Sequence, residues 1–280
     1  GIAWYLSTLS KNLLEYNQQL GNVEGCCRRN IVWSNDNRSR LNFLQGIKYF
    51  LNESRNTKSY AGYGYKKIGK KKGVTIQKQK YNSGLGYVFN SIMKESEFEK
   101  YSALEKEQIM MQTSVISDED YNKLNVDKIN GKDISIDIQD VDYKVASDSP
   151  IQLNKKKFKV NSYTELKLKM PEYKNCELYI EFIGLKKKAY SVSELQELDI
   201  GKESLSDRYE TAKYRMNNIS YHPYRNFDIF VSSGNFRKRI VNAENESRGI
   251  ADRSSYLVNI GYFKKTTGKI TIEFPTRGRY

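Results

Sequence analysis

The densest positive charge in the chain is Lys66-Lys67-Ile68-Gly69-Lys70-Lys71-Lys72, and Tyr60, Tyr63 and Tyr65 lead into it. Lysine ammonium groups on a turn bind phosphate as mobile point charges, and tyrosine faces stack on sugar or base rings. Lys66, Lys67, Lys70, Lys71 and Lys72 are therefore the candidate anion-binding residues, with Tyr63 and Tyr65 as candidate sugar-stacking faces. The plainer alternative is a hairpin tip kept soluble by its lysines. Lys155-Lys156-Lys157 and Lys186-Lys187-Lys188 read as turn lysines of the same kind.

Other chemistries find less to work with. Paired carboxylates could hydrolyse a glycosidic bond. The available sets are Asp118, Glu119 and Asp120, and Asp137, Asp140 and Asp142. They fall at a helix start and on alternating strand positions, where caps and solvated faces place acids anyway. A Ser/His/Asp triad would need His222, the only histidine, which sits in the loop-like Ser220-Tyr221-His222-Pro223-Tyr224 without a Gly-x-Ser-x-Gly elbow. Gly62-Tyr63-Gly64 and Gly84-Leu85-Gly86 lack the further glycines of a nucleotide loop, so they predict tight turns or close backbone approach. Cys26, Cys27 and Cys176 have no C-x-x-C spacing and read as small apolar side chains. No catalytic residue, metal site or cofactor is expected.

The elements that must position these groups come from a folded but polar chain. Among 280 residues, 38 % are hydrophobic, and 12 % are aromatic with 22 Tyr, more large apolar surface than a disordered chain carries. Forty-seven basic residues against 33 acidic ones give +14, which attracts polyanions: nucleic acid, anionic head groups or wall phosphate polymers. No apolar run approaches the roughly 20 residues that span a bilayer. Gly1-Ile2-Ala3-Trp4-Tyr5 reads like the middle of an element, which predicts a piece of a longer protein.

The first part reads as mixed α and β. Ser10 predicts an N-cap for a helix over Lys11–Leu20 with Gly21 at its end, and a second helix runs from Asn37 through Leu44 to Gly46. Ile47–Leu51 reads as a buried strand. Tyr63–Ile68 and Val74–Lys80 flank a loop at residues 69–73 as a basic hairpin. Ser102-Ala103-Leu104-Glu105 is a capping box opening a helix to about Thr113, and Ser117 offers a second cap. Beyond residue 130 the period changes to two: Ile134, Ile136 and Ile138; Leu166 and Leu168; then Leu178–Ile183, Phe227–Val231, Arg237–Val241, Tyr256–Ile260 and Ile270–Phe274. The fold class expected is α+β: a mixed domain over residues 1–128, then an antiparallel β-sandwich of jelly-roll type over residues 129–280. Residues 194–218 read as a long polar loop or short helix.

Several of these words, in this order, resemble the YfhO family of bacterial multi-pass membrane proteins. They are Gly1–Ser10, Asp36-Asn37-Arg38, Leu44-Gln45-Gly46-Ile47-Lys48-Tyr49-Phe50-Leu51, and Asn82-Ser83-Gly84-Leu85-Gly86-Tyr87-Val88-Phe89. Ser102–Gln108, Tyr256–Tyr262 and Ile270–Pro275 complete the set, with Ile260 where the family has Leu. The family is similar to membrane glycosyltransferases of the C fold type, which use lipid-linked sugars outside the cell. The resemblance implies an extracytoplasmic, accessory part of a Gram-positive membrane protein. It supports glycosyl transfer to a wall polymer such as lipoteichoic acid, while the catalytic groups lie near transmembrane helices absent from this stretch. The partners implied are the transmembrane part of the same chain and an anionic wall polymer or lipid-linked sugar. The alternative is a carbohydrate- or polyanion-binding surface module unconnected to catalysis. Nucleic acid has only charge and tyrosine in its favour.

Overall fold

A computed structural model describes residues 4–5, 11–21, 31–32, 35–53, 62–81, 84, 86–151, 159–160, 163–185, 228–241, 256–274 and 278–279. The predicted cap Ser10, Cys26 and Cys27, both outlying lysine triplets, residues 194–218 and the His222 segment lie outside these residues.

The first part holds three small sheets and all the α-helices described. β1 (Trp4–Tyr5) pairs with β2 (Ile31–Val32) on either side of α1 (Lys11–Gln19) in the sequence. Gly21 ends that region with φ 59°, and Gly46 follows α2 (Ser39–Leu44) with φ 63°, the left-handed backbone that glycine adopts without strain. β3 (Tyr49–Glu53), β4 (Tyr65–Lys71) and β5 (Val74–Gln79) form an antiparallel sheet in the order β3-β5-β4. β3 is not the buried strand expected: Tyr49, Leu51 and Glu53 are exposed, and Phe50 and Asn52 are half-buried.

β6 (Ser91–Lys94) leads through α3 (Glu95–Phe98) and α4 (Ala103–Met110) to β7 (Ser114–Ile116), then through α5 (Asp118–Lys123) to β8 (Asp127–Lys128). β6 lies centrally and pairs parallel with β7 and β8, so the helices serve as crossovers. The capping box is present as read: Ser102 N–H donates to Glu105 Oε2 at 2.7 Å, and Glu105 N–H to Ser102 Oγ at 3.4 Å. Ser117 caps α5, its Oγ accepting from Asp120 N–H at 3.1 Å.

Ile134 and Ile136 keep the in-and-out alternation while Ile138 is exposed, and the three form no strand, contrary to expectation. Their partner is α4. Gln108 exchanges hydrogen bonds with the Asp137 backbone (2.6 and 3.0 Å), and Gln112, one turn on, does the same with Ser135 (3.0 and 2.8 Å). Two amide side chains thus replace a neighbouring strand. Ile134 and Ile136 pack with Met93, Phe98 and Ile109. Asp137, Asp140 and Asp142 are exposed and lie on no strand.

The second part is antiparallel. β9 (Lys144–Val145), β10 (Lys159–Val160), β11 (Thr164–Lys169) and β12 (Lys174–Phe182) precede β13 (Asp228–Ser233) and β14 (Phe236–Val241). β15 (Tyr256–Lys265), β16 (Lys269–Phe274) and β17 (Gly278–Arg279) follow. One sheet runs β14-β13-β16-β11-β9; β12 pairs with β15, and β10 with β17. Leu166, Leu168, Val231, Ile270 and Ile272 of the five-stranded sheet share one core with Leu178 and Val258, Ile260 and Phe263 of the β12–β15 pair. A bulge between Leu178 and Tyr179 shifts the β12–β15 register at Gly261, whose φ is 142°. A Cβ there would sit 3.2 Å from the Phe236 ring, so glycine lets that aromatic close over the strand.

Candidate basic sheet and its buried anchor

The lysines occupy β4 and the turn after it. The strand continues through Lys71, so the predicted five-residue loop shrinks to Lys72-Gly73, with φ 47° and 80° at the two positions. Left-handed backbone at both central residues is the turn whose twist matches an antiparallel hairpin. Lys66, Lys67, Lys70, Lys71 and Lys72 are all exposed. No ion pair to any of them occurs among the described residues.

A bulge sorts them onto two faces. Lys67 faces Gln77, then Ile68 and Gly69 together oppose Ile76, and pairing resumes with Lys70 opposite Thr75. Cross-strand partners share a face, so Lys67 and Lys70 lie with Tyr65, and Lys66 and Lys71 lie on the other side.

The two predicted tyrosines part company. Tyr65 is half-buried: its hydroxyl donates to Ile47 O at 2.6 Å, its ring lies 6.2 Å from Phe50, and burial pushes its phenol up to about 12. That ring belongs to the packing of the sheet. Tyr63 is exposed, with Tyr262 at 4.7 Å and Tyr81 at 6.4 Å between ring centroids. Lys80 Nζ lies 3.2 Å from Tyr81 Oη and lowers that phenol, while Tyr81 raises Tyr63. Tyr81 and Tyr262 were not read from the sequence. Tyr262 is 199 residues from Tyr63, and only the folded chain brings them together.

Glycine admits this approach. Gly62 has φ 94°, and a Cβ on it would stand 2.7 Å from Asn37 O; Gly64 has φ 87°, and a Cβ there would collide with Gln79 Oε1. Gln79 is buried and donates from Nε2 to Tyr63 O at 3.1 Å, tying the turn before β4 to the end of β5.

Beneath the turn lies a buried ionic anchor. Asp36 and Asn37 both have left-handed φ, 56° and 54°, which these two residue types tolerate best after glycine. The turn directs the Asp36 carboxylate inward, where it accepts from Asn259 N–H at 2.6 Å and pairs with Lys238 Nζ at 2.6 Å. Arg38, fully buried, donates from Nε to Glu107 Oε1 of α4 and from Nη1 to Leu20 O, and its Nη2 forms an ion pair with the same Glu107 oxygen. Burial pushes the Glu107 carboxyl above its ordinary value, and Arg38 pulls it back. Ser39 Oγ donates to Glu177 Oε1 and accepts from Tyr63 N–H at 2.8 Å. Residues 36–39 therefore bind α4, β12, β14, β15 and the turn before β4 at one point.

The remaining candidates are occupied structurally. Asp118 accepts from Ser96 N–H at 3.1 Å and Ser96 Oγ at 2.5 Å, and Lys123 pairs with Glu119 at 2.5 Å. An open groove of about 520 Å³ is lined by Glu97, Tyr101, Asn130, Gly131 and Lys132, but Glu97 accepts from Gly131 N–H at 2.8 Å. Cys176 is half-buried, and burial raises its thiol.

The model of the family described as bacterial membrane protein YfhO matches residues 1–280. The chain belongs to that family. No curated protein and no solved structure matches it. Among the described residues, no helix is long and apolar enough to cross a membrane.

Proposed function

We propose that this stretch of a YfhO-family membrane protein is its extracytoplasmic domain, and that it supports glycosyl transfer from a lipid-linked sugar to an anionic cell-wall polymer such as lipoteichoic acid. The observation that carries the reading is the set of five exposed lysines without carboxylate partners among the described residues, in a membrane protein family. Unneutralised ammonium groups on one small sheet attract a phosphate polymer by collective charge, since single exposed contacts contribute little. The catalytic groups belong to another part of the protein, and this domain presents the acceptor. On the same reading, the two core-sharing sheets of the second part are the layers of a jelly-roll-like sandwich. The α4-bound segment to Asp137 supports drawing the first domain somewhat beyond residue 128.

A second reading rests on Tyr63, Tyr81 and Tyr262. Two exposed rings, Tyr63 and Tyr81, with the half-buried Tyr262 against Tyr63, suit a carbohydrate-binding module with no part in catalysis. The two separate in the producing bacterium. Changing Lys66, Lys67, Lys70, Lys71 and Lys72 to Gln should lower the sugar content of the wall polymer at unchanged protein level. Unchanged polymer glycosylation, with polymer binding lost, would leave only the module reading. The isolated 280-residue chain should turn over neither glycan nor lipid-linked sugar; turnover abolished by one carboxylate substitution would overturn the accessory role.

A further inference from the structure

The β3-β5-β4 sheet is inside out. Its inner face, the one half-buried or buried apart from the lysines, carries Asn52, Thr75, Gln77 and Gln79 beside Phe50 and Tyr65. Its outer face carries Tyr49 and Leu51 of β3 and Ile76 of β5, and the bulge in β4 adds Ile68 to that side. Leu51 is 59 % exposed, Ile68 58 % and Tyr49 49 %, values that place their side chains in the surroundings rather than in the protein. A solvent-facing sheet normally puts polar residues outward. Several large apolar side chains gathered on one outer face mark an interaction surface.

The frame around this patch identifies what covers it. Lys66, Lys71 and Lys78 stand on the same face, with Lys72 at the hairpin tip, against the single acid Glu53. Apolar side chains for the acyl boundary, a tyrosine at head-group depth and lysines for phosphate are the composition of a surface that lies in a membrane interface. Three lysines against one acid around the apolar side chains complement a layer that is anionic at its surface and apolar beneath. We propose that the outer face of this sheet docks on an anionic lipid bilayer, with Leu51 and Ile68 entering the head-group region and Lys66, Lys71 and Lys78 on lipid phosphates. The inference rests on the reading that the domain stands beside the membrane. It changes the role of half the lysine cluster: Lys66 and Lys71 hold the sheet down, while Lys67 and Lys70 remain on the other side for a second anion.

The test uses the 280-residue chain with vesicles of phosphatidylglycerol mixed with phosphatidylcholine, and with phosphatidylcholine alone. The parent should sediment with the anionic vesicles only. The Leu51→Ser/Ile68→Ser variant should bind about tenfold or more weakly, because burial of even part of two such side chains is lost. Lys66→Gln/Lys71→Gln/Lys78→Gln should lose about a hundredfold at low salt, from about fivefold per lysine, and Lys67→Gln/Lys70→Gln should lose less. An environment-sensitive dye at Ile68→Cys, in a chain whose three natural cysteines are serine, should brighten on adding anionic vesicles, and a dye at Lys67→Cys should not. Unchanged melting temperature shows that these exposed substitutions leave the fold intact. If Leu51→Ser/Ile68→Ser binds as well as the parent, docking is refuted, while the charge-based polymer reading survives. If the parent proves to be a dimer that this variant dissolves, a second copy covers the face and the proposal fails. Failure of the wall-polymer reading would appear instead as normal polymer glycosylation in Lys67→Gln/Lys70→Gln, with vesicle docking by the parent retained.

Discussion

Glu107→Leu removes the carboxylate opposite Arg38 in a place with no water to replace it, since both side chains are fully buried. Nε of the guanidinium would lose its acceptor and Nη2 its ion-pair partner, and only the Nη1 bond to Leu20 O would remain. Stranding one partner of a buried pair costs about 3–5 kcal/mol. Spread over a chain of this size, that is a fall in melting temperature of roughly 10 °C. Arg38→Met/Glu107→Leu removes both charges and leaves only the Leu20 carbonyl without its donor, a cost of about 1–3 kcal/mol. The double variant should therefore be more stable than Glu107→Leu alone. Urea unfolding followed by far-ultraviolet circular dichroism measures all the corners of this cycle. Costs that simply add, or a Glu107→Leu cost under about 1 kcal/mol, would refute the view that these residues fix the 36–39 turn to α4 through a desolvated pair.

Two further outcomes follow from the same geometry. Gly62→Ala should cost about 1–3 kcal/mol, because the left-handed backbone is strained by a Cβ and Asn37 O, which also accepts from Asn259 Nδ2 at 3.3 Å, cannot withdraw; equal stability by urea titration would contradict the close approach. Hydrogen bonds from Ser96 hold the Asp118 carboxyl below its ordinary value. A depressed carboxylate contributes stability above its unfolded value and loses it as pH falls through the folded one, so the contribution disappears below the usual aspartate range. In Ser96→Ala the Asp118 carboxyl should titrate at higher pH by carbon-13 NMR, and an unmoved titration would show the bonds to be without effect.

Local signals were the ones legible in the sequence. The box Ser102–Glu105, the glycines ending α1 and α2, and the period-two runs of β11 to β16 each state their structure within a few residues. What the sequence concealed depends on distant partners. Ile134, Ile136 and Ile138 alternate in the sequence as a strand does, yet the backbone between them, at Ser135 and Asp137, is held by two glutamines on and just after α4. β6, β7 and β8 have four residues or fewer, too short for a pattern. IKYFL looked buried because it is apolar, and the burial expected inside the protein is absent at Tyr49 and Leu51. The lysines were visible as a cluster, but a single bulged residue decides which of them share a face, and the tyrosine partners of Tyr63 came from sequence positions nothing local could link.

The placement of this domain outside the cell is the premise of the functional reading, and side-directed labelling tests it most directly. In the whole membrane protein, with Cys26, Cys27 and Cys176 changed to serine, Glu119→Cys puts a thiol in α5, outside the basic sheet's strands, on a side chain that is 79 % exposed. A membrane-impermeant maleimide added to intact cells should label that cysteine fully. Labelling that appears only after the cells are opened would place the domain in the cytoplasm and contradict the account.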